Sequence, residues 1–162
     1  MDRLFSPWRS QYIETFARPE DSKGECVLCK AYQDNRDDEH LVVTRSTFCY
    51  VIMNLFPYNS GHLMVVPYRH ISHLTDLTDE ESLEVMTLLK RMTKALQSVS
   101  KPDGFNLGSN VGRTAGAGLD QHVHFHIVPR WSGDTNFMPI LADTKLISED
   151  QRETLFKLRR VL

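Results

Sequence analysis

Only three of the 162 residues are cysteine: Cys26, Cys29 and Cys49. So small and odd a number excludes the paired disulfide framework of small secreted domains. Positive charge is also scarce. Nineteen basic side chains against 21 acidic ones give a formal charge of −2. No basic excess exists to coat a phosphate backbone, so nucleic acid is not an expected partner. A small anionic ligand stays open, because geometry can concentrate positive potential where net charge does not. No run approaches the roughly 18 apolar residues of a membrane span, so no membrane partner is expected. The first residues, MDRLFSPWRSQY, lack the apolar core of a signal peptide, and a reducing cytoplasm is the expected location. Glycine and proline, 8 and 7, are too few for a collagen or a low-complexity chain. What remains is 41% hydrophobic and 25% charged, an ordinary globular composition of a length that suits one domain.

The chain divides into an arm over residues 1–25, a core over 26–130 and a C-terminal extension over 131–162. In the arm, Phe5, Trp8 and Tyr12 are apolar enough to pin it to a body, near a site or across an interface. Residues 33–40 read as a polar break, with His40 solvated. Residues 41–44, 48–53 and 62–67 read as strands, joined by turn chemistry at Asn54–Gly61. Residues 78–99 carry the clearest helix: Thr78 and Glu81 form a capping box, and Val85, Leu89, Met92, Leu96 and Val99 recur at helical spacing. Strands over 105–111 and 122–129 flank a glycine-rich loop. A last helix is expected to start at Ser148, with Gln151 closing a second capping box. The fold class is therefore α+β: a mostly antiparallel five-stranded sheet with one long helix and a C-terminal helix.

The run His122-Val123-His124-Phe125-His126 carries the chemistry. Alternate residues of a strand share a face, so three imidazoles line one side while Val123, Phe125 and Ile127 anchor the other. Two chemistries suit such a row. One is a tri-histidine metal site. The other is nucleophilic attack on phosphorus by a neutral imidazole, with neighbouring donors stabilising the charge on the phosphate oxygens. Just upstream, Gly112, Gly116 and Gly118 lie in a short span with Arg113. Glycine lets backbone N–H groups approach phosphate oxygens, which favours the second chemistry. Cys26-Val27-Leu28-Cys29 is a C-x-x-C pair: a redox pair, half of a metal site, or two packed thiols. Nothing strand-like precedes it, which argues against a thioredoxin-like motif. Cys49, in an apolar strand, reads as an inert core residue.

The H-x-H-x-H run followed by Ile127-Val128 resembles the signature of the histidine triad (HIT) superfamily. Asn54, His62 eight residues on, and Arg69-His70-Ile71 match the same family, so the resemblance spans about residues 26–130. Asn106-Leu107-Gly108-x-Asn110-x-Gly112 and the Pro129–Met138 run are similar to the branch containing dinucleoside polyphosphate phosphorylases and hydrolases. The resemblance implies a nucleotide substrate cleaved at its α-phosphate. His124 would be the nucleophile and His126 would bind and polarise the phosphate, with His62 nearby. It also implies Asn54 as the ribose ligand, Asn110 near the phosphates, and Gly116 and Gly118 in the phosphate loop. Diadenosine tetraphosphate is the expected substrate, with water or phosphate as acceptor. A phosphoramidate hydrolase and a non-catalytic nucleotide-binding module are the alternatives. Relatives that carry a C-x-x-C pair imply structural zinc held by Cys26, Cys29, His70 and His122, with His73 as the substitute for His70. They also imply a homodimer. One departure stands out: Gly118-Leu119-Asp120-Gln121 lacks the hydroxyl many relatives place just before the first triad histidine, which removes one phosphate contact.

Overall fold

The computed structural model describes residues 26–134, 147 and 149–162. The expected arm, the part of the Pro129–Met138 run beyond Asp134, and Ser148 lie outside them. The sheet has five antiparallel strands, β1 (Val42–Arg45), β2 (Cys49–Met53), β3 (Leu63–Pro67), β4 (Gly104–Gly108) and β5 (Phe125–Arg130), in the order β1-β2-β3-β5-β4. Helices α1 (Val27–Gln33) and α2 (Asp37–His40) precede it; α3 (Asp79–Ser100) crosses between β3 and β4; α4 (Gln151–Arg159) follows β5. None of the described helices is long and apolar enough to cross a membrane.

Strand alternation divides the apolar residues between two faces. Cys49, Val51, Met53, Leu63, Val65 and Ile127 pack against Val85, Leu89, Met92 and Leu96 of α3 and Leu155 and Leu158 of α4. Val42, Tyr50, Ile52, Met64 and Val66 face the other way and pack beneath Leu28 and Ala31 of α1. At the tight turn into β3, Gly61 sits at φ +72°, and a Cβ there would lie 3.1 Å from Leu96 Cδ2.

Helix α3 starts where expected, with Thr78 and Glu81 capping reciprocally. Its Glu84 locks the β1–β2 turn. One carboxylate oxygen accepts from Ser46 Oγ (2.8 Å) and Thr47 N (3.1 Å), the other from Phe48 N (2.6 Å) and Cys49 N (2.7 Å). Burial alone would raise the Glu84 pKa, but these donors outweigh it and hold the group below its ordinary value.

Four expectations change. A helix, α1, follows Cys26; seven residues with only Leu28 and Ala31 buried are too few to show a period. The polar break at 33–40 contains the short helix α2, and its His40 is half-buried, bonded through Nε2 to Asp34 at 2.9 Å. Strand β4 ends at Gly108, and β5 begins at Phe125 instead of His122. The peptide before it bonds elsewhere: Val123 N donates to Ile71 O at 2.7 Å. Finally, α4 begins at Gln151. Its cap is Asp150, which accepts from the N–H groups of Arg152 and Glu153, so Gln151 is the first residue inside the helix.

Removing Glu84 leaves three backbone donors without an acceptor. Glu84→Ala is expected to lower unfolding stability by about 2–4 kcal/mol. Urea denaturation checks this; a loss below about 1 kcal/mol would show that water replaces the carboxylate.

Candidate active site

Pairing of β3 with β5 sets Met64 opposite His126, on the α1 side of the sheet. There a cavity of about 290 Å³ opens, with Val27, Leu28 and Ala31 of α1 on one wall and Ile52 and Met64 on its floor. Asn54, Asn110, Gly116, Gly118, His124 and His126 also line it. Gly116 closes a 3₁₀ turn (Arg113–Ala115) at φ +92°, a conformation that suits glycine. Arg113 does not line the cavity; it is exposed and paired with Asp120 at 2.8 Å.

Hydrogen bonds fix the histidine tautomers. A backbone N–H can only donate, and Tyr58 N lies 3.0 Å from His62 Nδ1. Asn54 Nδ2 approaches the same atom at 3.3 Å. His62 therefore carries its proton on Nε2, which donates to His126 Nδ1 at 2.9 Å. His126 in turn carries its proton on Nε2 and is a donor. His124 is set the opposite way: its Nδ1–H donates to the His122 carbonyl at 2.8 Å, which leaves Nε2 as a bare lone pair. The two rings meet edge to face, 4.9 Å apart. Ser109 Oγ donates to the His124 carbonyl at 2.7 Å and steadies the same segment. His62 is 1% exposed and stands behind His126, away from the cavity lining.

Burial favours neutral imidazole throughout. It pushes His62 down to about 3, with the neighbouring imidazoles adding to the effect. It pushes His126 down to about 4 and lowers His124 as well. The Cys49 thiol, wholly buried and beside Glu84, is pushed up to about 12 and is inert.

His122 belongs to a different cluster. Its Nδ1 lies 3.4 Å from Cys26 Sγ and 3.6 Å from Cys29 Sγ, and His70 Nδ1 lies 3.4 Å from Cys29 Sγ. The four ligand atoms all fall within 4.8 Å of one another. A tetrahedral ion with zinc–sulfur and zinc–nitrogen bonds of about 2.3 and 2.0 Å has sulfur–nitrogen edges of roughly 3.6 Å, so this set fits one. His122 Nε2 donates to Pro67 O at 2.9 Å, which turns the lone pair of Nδ1 toward the sulfurs. His73 caps the 3₁₀ turn Leu74–Asp76 and is not in the set. Among the described residues the three strand histidines do not converge on a common point: His122 serves the sulfur cluster, and His124 and His126 serve the cavity.

Reasoning from the sequence missed α1 as a cavity wall and Gln151, whose Nε2 donates to Asn54 O at 2.8 Å across 97 residues. No local pattern signals so distant a contact.

Neutral burial has a pH signature. The folded pKa values of His62 and His126 lie below the unfolded value near 6.5. Their contribution is intact above about 6.5 and is lost as pH falls toward about 4, because the unfolded chain takes up the protons first. The slope approaches about 1.4 kcal/mol per pH unit for each histidine. Urea midpoints between pH 7.5 and 5, above the carboxylate range, check this; a flat profile would mean the pair is solvated.

The sequence matches the HIT domain family over residues 35–133. It is 41% identical over 157 residues to an AP-4-A phosphorylase of Mycobacterium tuberculosis, covering 95% of this chain and 80% of that one. It is 31% identical over 105 residues to an adenosine 5'-monophosphoramidase of Schizosaccharomyces pombe, covering 65% of this chain and 74% of that one. Its fold superposes with a TM-score of 0.69 on the crystal structure of a Zn-bound histidine triad family protein from Mycobacterium smegmatis, at 25% identity over 84% of this chain and 91% of that one. The family match and the antiparallel five-stranded fold together establish that the chain belongs to the HIT family.

Proposed function

We propose that this protein is a nucleotidyl hydrolase or transferase that cleaves dinucleoside polyphosphates at the α-phosphate through a covalent nucleotidyl-His124. The observation that carries the reading is the tautomer pair at the cavity wall: a bare Nε2 on His124 beside an Nε2–H on His126. A lone pair next to a donor is what attack on a phosphoryl group requires. The AP-4-A phosphorylase relative supports the same reading, with diadenosine tetraphosphate as the proposed substrate.

The nucleoside lies between α1 and the sheet, with Asn54 at the ribose and Asn110, Gly116 and Gly118 around the phosphates. His124 Nε2 attacks the α-phosphorus; the N–P bond forms, the P–O bond to the β-phosphate breaks, and its electron pair leaves with the polyphosphate. The ring becomes cationic, and its Nδ1–H stays on the His122 carbonyl. His126 Nε2–H stabilises the charge on the α-phosphate oxygens. Water or inorganic phosphate then attacks phosphorus and returns the electron pair to Nε2. The phosphoramidase relative supports an amine as a second class of leaving group on the same histidine.

Cys26, Cys29, His70 and His122 would hold zinc, with Pro67 O orienting His122. Such an ion supplies a structural cross-link between α1, the segment after β3 and the segment before β5. The Zn-bound relative supports this, and thiolate ligands fit a reducing cytoplasm. We also infer a homodimer, supported by Leu83 and Met86, exposed on the outer side of α3. Sedimentation of the purified protein at monomer mass would overturn it.

Product chromatography after incubation with diadenosine tetraphosphate tests the reaction. AMP with ATP means water is the acceptor; ADP with ATP, formed only when phosphate is added, means phosphorolysis. Turnover of adenosine phosphoramidate alone would favour the second class of leaving group. His124→Ala is expected to lose at least ~10³-fold in kcat while keeping nucleotide affinity within roughly threefold. Near-normal turnover would sink the mechanism. In Cys26→Ser, metal analysis should find less than about half of the wild-type zinc, since a tetrahedral site loses one of four ligands. Full retention would assign the metal elsewhere.

A further inference from the structure

His126 separates two depressions on the same face of the sheet. The second runs along β4 and β5 and shares Tyr58, Asn110 and His126 with the first. Register explains it. Pairing sets Gly108 beside His126, Asn106 beside Val128 and Gly104 beside Arg130, all on the side away from α3. Gly108 has no side chain, and a Cβ built there meets nothing within 4 Å. The floor next to His126 is therefore open.

Among the described residues, Arg130 and Asn106 offer hydrogen-bond donors to this groove. Arg130 bonds Asp134 through Nε (2.7 Å) and Nη2 (2.8 Å), and Asn106 Oδ1 through Nη1 (2.8 Å). A guanidinium has five N–H groups, so one remains on each terminal nitrogen. Because Asn106 Oδ1 is taken by Arg130, its NH₂ is left as the outward group. The Asn110 carboxamide makes no hydrogen bond to the described residues, yet it borders both depressions. Donors of this kind suit an oxygen-rich anion such as a polyphosphate.

The position relative to the nucleophile is the second argument. His124 lines the first cavity and not the groove; His126 lines both. In phosphoryl transfer the attacking and leaving atoms lie roughly in line across phosphorus. With His124 on one side of the α-phosphate and His126 beside it, the leaving oxygen emerges over the groove.

We propose that the β4–β5 groove holds the departing half of the substrate: the phosphates beyond the α-phosphorus and the nucleoside they carry. This assignment rests on the dinucleoside polyphosphate reading above. It makes Asn106 and Arg130 leaving-group ligands and Gly108 a residue whose smallness sets substrate class. An amine leaving group needs none of this space.

Two substrates test the assignment: diadenosine tetraphosphate, which fills the groove, and adenosine phosphoramidate, which does not. Gly108→Val fills the floor without backbone strain, and Asn106→Asp adds a negative charge on the exposed edge strand. In each variant the ratio of kcat/KM for the tetraphosphate to that for the phosphoramidate should fall roughly tenfold. For Asn106→Asp the fall should shrink as salt is added. Thermal midpoints verify folding, and Gly108→Ala replaces Gly108→Val if the latter is destabilised. An unchanged ratio, or equal losses on both substrates, overturns the groove assignment and leaves the His124 chemistry standing. Wild-type protein that turns over neither substrate overturns the parent reading and the groove with it.

Discussion

Five residues of backbone, His122–His126, connect the sulfur cluster to the cavity, and the rest of the site depends on them. His122 uses its side chain on Cys26 and Cys29 and its carbonyl on His124 Nδ1. One residue thus completes the sulfur–nitrogen cluster with its ring and fixes the tautomer of its neighbour with its carbonyl. That single carbonyl bond decides which nitrogen of His124 faces the cavity. Without it, the two tautomers of a buried imidazole would compete, and some rings would present an N–H at the cavity in place of a lone pair.

The neutral state of the imidazoles follows from where they sit. The His126 ring lies about 5 Å from both His62 and His124, and so many imidazoles packed in an apolar wall cannot all be charged. Desolvation removes the charge, and the chain from Tyr58 N through His62 to His126 then gives every remaining proton a direction. His62 is thus a positioning residue for His126. The same burial that prepares the site makes it a liability in acid, because those rings take up protons at a lower pH in the folded chain than in the unfolded one.

What the sequence made legible were features with short periods. The alternation of His122, His124 and His126 and the helical stripe of α3 both repeat within a window that local geometry controls, whereas Asn54 and His62 stand out only through family resemblance. Features built by long-range packing stayed hidden. Cys26, Cys29, His70 and His122 could be grouped only through family resemblance, since spacing says nothing about a contact across 93 residues. The sequence places the start of α4 too early for a specific reason. Ser148-x-x-Gln151 and Asp150-x-x-Glu153 both satisfy the capping pattern, and only the backbone reveals that Asp150 holds the N–H groups. Alternation likewise extends β5 back to His122, although its peptide neighbour Val123 has left the ladder for Ile71.

Helix α1 joins these levels. Cys26 stands at its cap and Cys29 in its first turn, Leu28 and Ala31 seal the second apolar cluster, and Val27, Leu28 and Ala31 form the cavity wall. Seven residues are too short to hold a helix by themselves. The helix persists because the two thiols at its start meet His70 and His122, in the segments after β3 and before β5, while Leu28 and Ala31 pack on the sheet. The α1 wall of the cavity is therefore only as firm as the sulfur cluster beneath it. Among the described residues the β4 side has no such clamp: its edge strand is exposed, and its floor is glycine. His126 lies on the boundary between the two halves. On the proposed reading, the enclosed side holds the half that is attacked, and the other, open at Gly108, holds the half that leaves.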